Sequence, residues 1–456
     1  MNSKEATQNS MPRVVIVGGG FGGLAAAQDM GNAPVKLTLV DRKNYHTFQP
    51  LLYQVATAGL SPGEIAAPIR SILRRRKNTE VLMSEVTGFD LERRRVEMPD
   101  GEIPYDYLIV AAGASHAYFG HDDWEPFAPG LKTIEDALEI RRRVLLAFEL
   151  AERQAVHGED GAPLNFTVVG GGPTGVELAG TLAEISRHAL AHEFRSIDPK
   201  MAHILLLEGG PRILPTYAED LSRSAQQQLE HLGVEVRTST MVTNVEAGAI
   251  YVGQARLPAT VILWAAGVAA SPLGKKLGVP IDRAGRVLVQ PDLTLPGHPE
   301  IFVIGDLASL KDKSGKLLPG VAPVAIQQGR YAAKMIREEV ESRTGFDSRP
   351  PFHYLDKGSV ATIGRAAAIA EFGKIHISGF IAWLSWLFIH ILFLIGFRNR
   401  VLVFIQWAWS YVTYERGARL ITGSTYLPGW PDSREASAIA TSTDSAVQEI
   451  PAASRK

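Results

Sequence analysis

The sequence predicts an α/β protein with two doubly wound parallel-sheet units and a separate helical region at its carboxyl end. Three observations support this prediction. A strand, glycine turn, helix and strand pattern occurs twice; residues 378–397 form an uncharged apolar run; and the chain has 43 glycines while being 46% hydrophobic. A duplicated βαβ unit is the usual start of a doubly wound sheet, and abundant glycine suits its strand-to-helix turns.

The composition excludes several functional classes. A chain of 456 residues is long enough for two or three domains. Lys plus Arg number 47 against 48 Asp plus Glu, so no basic field exists to attract nucleic acid, and no nucleic-acid partner is expected. Cysteine is absent, which excludes disulfides, thiolate metal sites and electron transfer through a dithiol. We expect no metal site.

The first repeat, VVIVGGGFGGLAAAQDM followed by KLTLVD, predicts a nucleotide site. Gly18, Gly20 and Gly23 have the G-x-G-x-x-G spacing, in which the glycines allow a tight turn, approach of backbone to a pyrophosphate and close helix packing. The pyrophosphate then lies at the positive end of the helix, and Asp41 can bind ribose hydroxyls. An unliganded glycine turn is the alternative. The predicted contacts are Gly18, Gly20, Phe21, Gly22, Gly23, Asp41, Arg42 and Val86.

The second repeat, FTVVGGGPTGVELAGTLAEI followed by HILLLE, predicts a second nucleotide site. Its acid, Glu208, would repel a 2′-phosphate, so NADH is favoured over NADPH. Arg212, four residues later, could instead receive a phosphate or be a solvated loop charge. The predicted contacts are Gly170, Gly172, Pro173, Thr174, Gly175, Glu208 and Gly267.

Three further segments resemble those of the two-dinucleotide-binding flavoproteins. IFVIGD, which ends at Gly305 and Asp306, is similar to the segment whose aspartate binds the ribityl chain of FAD, although a plain Gly-Asp turn is the alternative. YDYLIVAAGA, with Ala112 and Gly113, and VILWAAGV, with Gly267, resemble the strand-end motifs that follow each Rossmann unit. The resemblance implies two Rossmann-like dinucleotide-binding domains, with the NAD unit inserted in the FAD unit.

The predicted domains follow from this order. Residues 11–125 and 290–342 form the FAD-binding domain, and residues 126–289 form the NADH-binding domain. Residues 349–425 form a C-terminal membrane-associated region. The polar ends, 1–10 and 430–456, are predicted to be disordered because they contain too few large apolar side chains to bury.

The carboxyl-terminal region has the apolar character of a membrane-contacting segment. Ser378 to Phe397 carries no charged residue, and another uncharged stretch follows from Val401 to Tyr414. Tryptophans in this region suit the headgroup boundary. Three interpretations remain open: a helical pair in one leaflet, a single spanning helix, or a buried core or dimer helix. The first two predict lipid contact through residues 375–415.

Taken together, the motifs resemble the type II NADH dehydrogenases, which are single-chain, non-pumping NADH:quinone oxidoreductases. The resemblance rests on the segments PLLYQVATAGL, GGGPTGVELAG, PGVAPVAIQQGRYAA and DKGSVATIGRAAA. The resemblance implies non-covalent FAD, NADH as co-substrate, and menaquinone or ubiquinone as acceptor. In the family an AQ-x-A-x-Q segment lies at the flavin and the quinone channel. Here Ala325 and Gln327 match this segment, whereas Pro323 replaces its first Gln. A helix cap or solvated side chain is the structural alternative for Gln327.

Glu177 and His46 require separate weighing. An acid in the first helical turn is favoured by the helix dipole, which could alone explain Glu177. The resemblance implies more, since the family's matching Glu reaches the nicotinamide and flavin rings. Glu177 and Gln327 are therefore the predicted catalytic residues. His46 lies in a predicted loop, and we expect neither a covalent flavin link nor a proton-donor role for it.

The predicted function is transfer of hydride from NADH to FAD and then of two electrons to a membrane quinone, without proton pumping. The predicted location is the cytoplasmic face of the cell membrane, with the chain monotopic or single-pass. The alternatives are a related reductase or NADH oxidase with a soluble acceptor, and a membrane-tethered sensor. A homodimer is left open.

Overall fold

The structure is a computed structural model that describes residues 11–158, 163–342 and 349–430. Apart from Trp430, the two tails predicted to be disordered lie outside the described residues. The first elements are β1 (Arg13–Val17), α1 (Phe21–Asp29), β2 (Lys36–Asp41), β3 (Tyr45–Thr47), α2 (Leu52–Ala56), α3 (Pro62–Ile65), β4 (Ala66–Pro68), α4 (Ile69–Leu73), β5 (Thr79–Met83), β6 (Gly88–Asp90), β7 (Arg95–Met98), β8 (Gly101–Pro104), β9 (Tyr107–Val110) and β10 (Ala114–His116).

The remaining elements form the second unit, the return to the first, and the carboxyl end. The second unit has α5 (Ile134–Val156), β11 (Asn165–Val169), α6 (Pro173–Glu184), β12 (His203–Leu207), α7 (Glu219–His231), β13 (Val234–Arg237), β14 (Val242–Glu246), β15 (Ala249–Val252), β16 (Ala255–Pro258), β17 (Val261–Trp264) and β18 (Val268–Ala270). Then follow β19 (Val287–Leu288), β20 (Thr294–Leu295), β21 (His298–Val303), β22 (Ala308–Ser309), α8 (Ala322–Ser342), β23 (Ser359–Gly364), β24 (Ala367–Phe372), β25 (Ile375–Ser378), α9 (Phe380–Phe393) and α10 (Phe397–Thr413).

The first unit is built on a six-stranded sheet with the order β20-β21-β9-β1-β2-β5. The pairs β1–β2, β1–β9, β2–β5 and β9–β21 are parallel. Residues 14–17 of β1 are buried, as expected for a central parallel strand covered on both faces. Because β21 joins this sheet only after the second unit is complete, the structure confirms the predicted α/β fold and the insertion of one unit into the other.

The second unit repeats this arrangement with the parallel sheet β13-β12-β11-β17 and the antiparallel sheet β14-β15-β16. The antiparallel pair β10–β18 joins the two units. The predicted end of the NADH-binding domain at residue 289 lies later in the sequence than the point at which the chain packs on the first unit again. Leu277 and Val287 belong to the same buried cluster as Ile301 and Val303 of β21, and β19 pairs with β22. The chain therefore returns to the first unit before residue 289.

The carboxyl-terminal region consists of the antiparallel sheet β23-β24-β25 and the helices α9 and α10. The sheet lies on α6 at a very close approach, since a Cβ at Gly180 would lie 1.7 Å from the Ile363 carbonyl oxygen. The uncharged run does not form one helix, because α9 ends at Phe393 and α10 begins at Phe397. Within the described ranges, no helix is long and apolar enough to cross a membrane.

A buried ion pair attaches the end of the carboxyl-terminal region to both nucleotide units. Arg416 Nη2 lies 2.9 Å from Glu184 Oε2, with side chains 10% and 15% exposed. Arg416 Nη1 also donates to the Thr57 carbonyl oxygen at 2.9 Å. Removal of one partner of a buried pair leaves an uncompensated charge, which is far more costly than loss of a surface pair.

We therefore expect Arg416→Met to destabilise the protein by about 3–5 kcal/mol and to lower the thermal unfolding midpoint by several degrees. The matched control is Arg223→Met, since Arg223 pairs with Glu219 where both side chains are more than two-thirds exposed. That variant should lose less than about 1 kcal/mol. Equal shifts of the two unfolding midpoints would contradict the role assigned to the buried pair.

Candidate active site

The first glycine turn has the geometry of a pyrophosphate site. Gly18 has φ +104°, and a Cβ there would lie 2.4 Å from the Ala111 carbonyl oxygen. A Cβ at Gly23 would lie 1.9 Å from the Gly18 carbonyl oxygen. A Cβ at Gly20 meets no atom within 4 Å, and α1 begins just after Gly20 without a side-chain cap. The open space in front of free helix N–H groups fits a bound phosphate.

Asp41 completes this first site at the end of β2. One of its carboxylate oxygens accepts the Gly19 N–H at 2.6 Å, and the other accepts the Lys43 N–H at 2.7 Å. The side chain is partly exposed, as a ribose contact requires, while Arg42 is exposed beside it. His46 supports the turn from below, with Nδ1 2.9 Å from the Gly19 carbonyl oxygen. Burial lowers the pKa of His46, so a neutral ring that donates to this carbonyl fits the geometry.

The second glycine turn has nearly the same backbone geometry as the first. Gly170 has φ +107°, and a Cβ at Gly175 would lie 1.8 Å from the Gly170 carbonyl oxygen. A Cβ at Gly172 again meets no atom within 4 Å, and α6 begins uncapped at Pro173. The structure therefore offers a second open helix end that fits the pyrophosphate of a nicotinamide dinucleotide.

The side chains of Glu208 and Arg212 have different hydrogen-bond partners beside this second turn. Glu208 accepts the N–H groups of Gly171 and Gly210, each at 2.6 Å, so it matches Asp41 in the first unit. Arg212 donates to the carbonyl oxygens of Tyr217 at 2.8 Å and Pro215 at 2.9 Å. The guanidinium is committed to its own loop, which disfavours its use as a 2′-phosphate receptor.

Residues from the segment that follows the second unit lie against the first glycine turn. A Cβ at Gly22 would lie 3.1 Å from the Ala325 carbonyl oxygen, and Gly305 lies against Ala325. The Gly305 N–H donates to Gln328 Oε1 at 2.6 Å. Asp306 is partly exposed and lies 4.0 Å from Lys132 Nζ. Sequence reasoning missed Gln328, which is buried, because a polar residue inside a helix gives no signal of the loop it will contact.

The other predicted contacts of the first site lie around this centre. Phe21 packs edge to face on His46, with ring centroids 5.0 Å apart. Gly113 has φ +66° and follows Ala112 at the end of β9. Val86 packs against the core beneath the sheet.

A cavity of about 200 Å³ lies where the two units meet. The first unit contributes residues from the segment that ends in α2, and the second unit contributes residues that follow its glycine turn and β17. The lining residues are Gln49, Leu52, Tyr53, His116, Leu131, Lys132, Thr174, Glu177, Trp264, Ala265, Gly267 and Val268. The predicted residues Thr174, Glu177 and Gly267 are thus brought together, and the sequence analysis missed Tyr53.

Glu177 is the carboxylate of this cavity. It is the fifth residue of α6, so the helix-dipole explanation for an acid in the first turn does not apply. Desolvation by burial raises its pKa well above the ordinary value, and a hydrogen bond from the Thr362 backbone opposes this shift. Because Thr362 belongs to β23, the carboxyl-terminal sheet forms part of the surroundings of Glu177.

Gln327 contacts the segment before the carboxyl-terminal sheet and does not line the cavity. Its Nε2 donates to the Leu355 carbonyl oxygen at 2.9 Å, and its Oε1 accepts the Leu355 N–H at 2.9 Å. The amide joins α8 to the carboxyl-terminal region and is not among the residues that line the cavity. Pro323 is exposed near the start of α8. A quinone contact from Gln327 stays a prediction, and it would compete with both of these hydrogen bonds.

The sequence analysis overlooked one pair with metal-ligand spacing, His188 and His192. The structure stacks His188 on Tyr414, with ring centroids 4.6 Å apart. Across the described ranges, no group of three or more potential metal ligands is present.

These sites define a two-nucleotide oxidoreductase, and comparison with known proteins agrees. Residues 12–329 match the family model for pyridine nucleotide-disulphide oxidoreductase. Residues 357–413 match the model for the NDH2 C-terminal domain. The chain is 47% identical over 424 residues to the type II NADH:quinone oxidoreductase NdhA of Mycobacterium tuberculosis, covering 90% of this chain and 89% of that protein.

A second protein of the same organism, the type II NADH:quinone oxidoreductase Ndh, is 45% identical over 423 residues, with 90% of each chain covered. The fold matches NDH2 from Plasmodium falciparum in complex with NADH, with a TM-score of 0.78 and 22% identity over 90% of this chain and all of that one. The chain therefore belongs to the type II NADH:quinone oxidoreductases. This confirms the family and the oxidoreductase class that the sequence predicted.

The raised pKa of Glu177 gives a pH-dependent stability. The folded protein favours the protonated carboxyl, so its contribution is complete below the unfolded-state pKa and is lost as the pH rises through the folded-state pKa. We expect Glu177→Gln, which cannot ionise, to reduce the fall in thermal unfolding midpoint between pH 5 and pH 8. The exposed Glu149→Gln is the control and should follow the wild type. An unchanged pH profile in Glu177→Gln would refute the burial of this charge.

Proposed function

We propose that the chain is an FAD-dependent NADH:quinone oxidoreductase that works at a membrane surface without pumping protons. The observation that supports this most is the presence of two matched glycine turns, one in each unit, together with a cavity that residues of both units line. Bound FAD would supply the two-electron chemistry that couples oxidation of NADH to reduction of the quinone. Non-covalent binding fits the site, since its contacts come from backbone groups and carboxylates.

The two nucleotides are assigned by what closes over each turn. The first turn is covered by Gly305, Ala325 and α8, which suits a permanently held FAD. In the second turn Thr174, which corresponds to Gly22 of the first, lines the cavity instead, which suits a co-substrate that must leave. Glu208 at its edge and the engaged Arg212 favour NADH over NADPH.

Within the cavity, the chain's own residues orient the reactants and limit water. Glu177 presents a carboxyl whose raised pKa favours the neutral, proton-bearing form. Lys132 and His116 line the same space and add positive or polar groups near a developing negative charge. The acceptor is a quinone of the menaquinone or ubiquinone type.

The two carboxyl-terminal helices present an apolar surface suited to lipid. In α9 the buried residues Ala382, Trp386 and His390 lie on one face, and exposed apolar residues lie on the other. We call this exposed set the apolar face. It comprises Phe380, Ile381, Leu384, Phe388, Leu392, Phe393, Phe397, Val401, Phe404, Ile405, Trp409 and Val412. Such a one-sided surface favours helices that lie flat in one leaflet. The side we propose for this contact is the cytoplasmic face of the cell membrane.

The test of this function is anaerobic addition of NADH to the purified protein, followed by a water-soluble quinone. We expect NADH to bleach the flavin absorbance and quinone to restore it faster than air does. Restoration by oxygen or a soluble iron-sulfur protein alone would reject the quinone assignment.

Two matched variants assign the two sites in the same assay. Asp41→Ala removes the acceptor of the Gly19 N–H and should lower the FAD content of the purified protein. Glu208→Ala removes the acceptor of the Gly171 N–H and should leave the FAD content intact while raising the KM for NADH about tenfold. The reverse pattern of FAD loss and KM change would exchange the two assignments.

The apolar face predicts vesicle binding that charge should abolish. We expect the double variant Phe388→Glu and Phe404→Glu, at residues 65% and 54% exposed, to lose most co-sedimentation with phospholipid vesicles. Met201→Glu, at a residue 79% exposed in the second unit, is the control and should bind as the wild type does. Undiminished binding of the double variant would place the lipid contact elsewhere.

A further inference from the structure

Three side chains form a hydrogen-bonded chain from the second carboxyl-terminal helix to the cavity. Trp407 of α10 donates from Nε1 to Gln54 Oε1 at 2.7 Å. Gln54 then donates from Nε2 to Tyr53 Oη at 2.9 Å. Tyr53 is buried and lines the cavity together with Glu177. The chain thus links a helix of the apolar face to a hydroxyl in the candidate active site.

The direction of this chain is fixed at its outer end. An indole N–H can only donate, so Gln54 must turn its oxygen towards Trp407 and its amide nitrogen towards Tyr53. The Tyr53 oxygen therefore accepts a hydrogen bond, and its own proton is left for another partner. Among the described residues, no protein atom accepts that proton. The proton is available to a molecule in the cavity.

Trp407, at the outer end of these hydrogen bonds, is fixed by contacts of its ring and of its helix. Trp407 packs on Trp386 of α9, with ring centroids 5.1 Å apart. The neighbouring residue Gln406 donates to Glu64, and Asn399 donates to the Gly63 carbonyl oxygen at 3.4 Å. The position of Trp407, and with it the orientation of the Gln54 amide, therefore depends on how α10 lies on the first unit.

We propose that the Tyr53 hydroxyl donates a hydrogen bond to a carbonyl oxygen of the quinone, and that Gln54 and Trp407 are positioning residues for it. The inference rests on the proposed function. Negative charge grows on a quinone oxygen as it is reduced, and a fixed donor stabilises that charge without itself losing a proton. Burial raises the pKa of Tyr53 well above its ordinary value, so the phenol stays protonated; the protons added to the quinone come from solvent.

The test separates the two half-reactions by stopped-flow absorbance. Tyr53→Phe keeps the ring and removes the hydroxyl. We expect it to slow reoxidation of the flavin by a water-soluble quinone about tenfold, with the rate of bleaching by NADH unchanged. Trp407→Phe should slow the same step by a smaller factor. If Tyr53→Phe slows only the bleaching by NADH, the hydroxyl serves the nicotinamide carboxamide instead and the proposal fails.

Non-additivity distinguishes positioning from general damage. If Trp407 acts through Tyr53, the double variant should reoxidise no more slowly than Tyr53→Phe alone, with FAD content and unfolding midpoint unchanged. Additive losses would overturn the positioning role of Trp407. The control is Tyr251→Phe, which removes a hydroxyl bonded to Glu246 at 2.6 Å in the hairpin of the second unit and should leave both rates unchanged.

The design also separates failure of this inference from failure of the proposed function. If quinone does not reoxidise the wild-type flavin, the proposed function itself fails. If quinone reoxidises the wild type and Tyr53→Phe at equal rates, the function stands and only the role of Tyr53 is rejected.

Discussion

The close backbone approach at the two glycine turns is the constraint on which the rest of the structure depends. At Gly23 and Gly175 a single methyl group would overlap a carbonyl oxygen less than 2 Å away. The absence of side chains lets each helix start directly above its strand, which leaves its first N–H groups facing open space. It also brings the carboxylates of Asp41 and Glu208 beside their turns. The chain therefore has two such turns, and the helix that follows the second one contributes Thr174 and Glu177 to the cavity between the units.

The sequence predicted this framework because its signals are local. Glycine spacing, alternation of strands and helices, and an acid at a strand end can all be read within one βαβ unit. The return of the chain at Gly305 and Asp306 was recognised only through resemblance. Tyr53 and Gln328 were missed, since their roles depend on partners that are remote in the chain or in a different element. A count of apolar residues left a helical pair and a single helix both open, because it could not show that Gly396, with φ +88°, separates two helices.

The carboxyl-terminal region does more than supply an apolar face. Its sheet reaches α6 because Gly180 has no side chain, and this approach brings Thr362 to Glu177. Its last segment is attached to Glu184 through Arg416, and Arg365 donates its backbone N–H to the same carboxylate. Both acids lie on α6, so the helix that starts at the second nucleotide site is also the helix on which the third region is assembled.

The close approach at Gly180 limits how freely the carboxyl-terminal region could be exchanged between related proteins. Exchanging the carboxyl-terminal region for that of a distant relative would keep the nucleotide turns intact, yet the graft would succeed only if the incoming strand fitted the bare helix surface at this one position. A strand set even slightly farther away would admit water to the neighbouring carboxyl and return its acidity towards that of an exposed glutamate. In a chimaera, the anchor and the acid chemistry would therefore be inherited together.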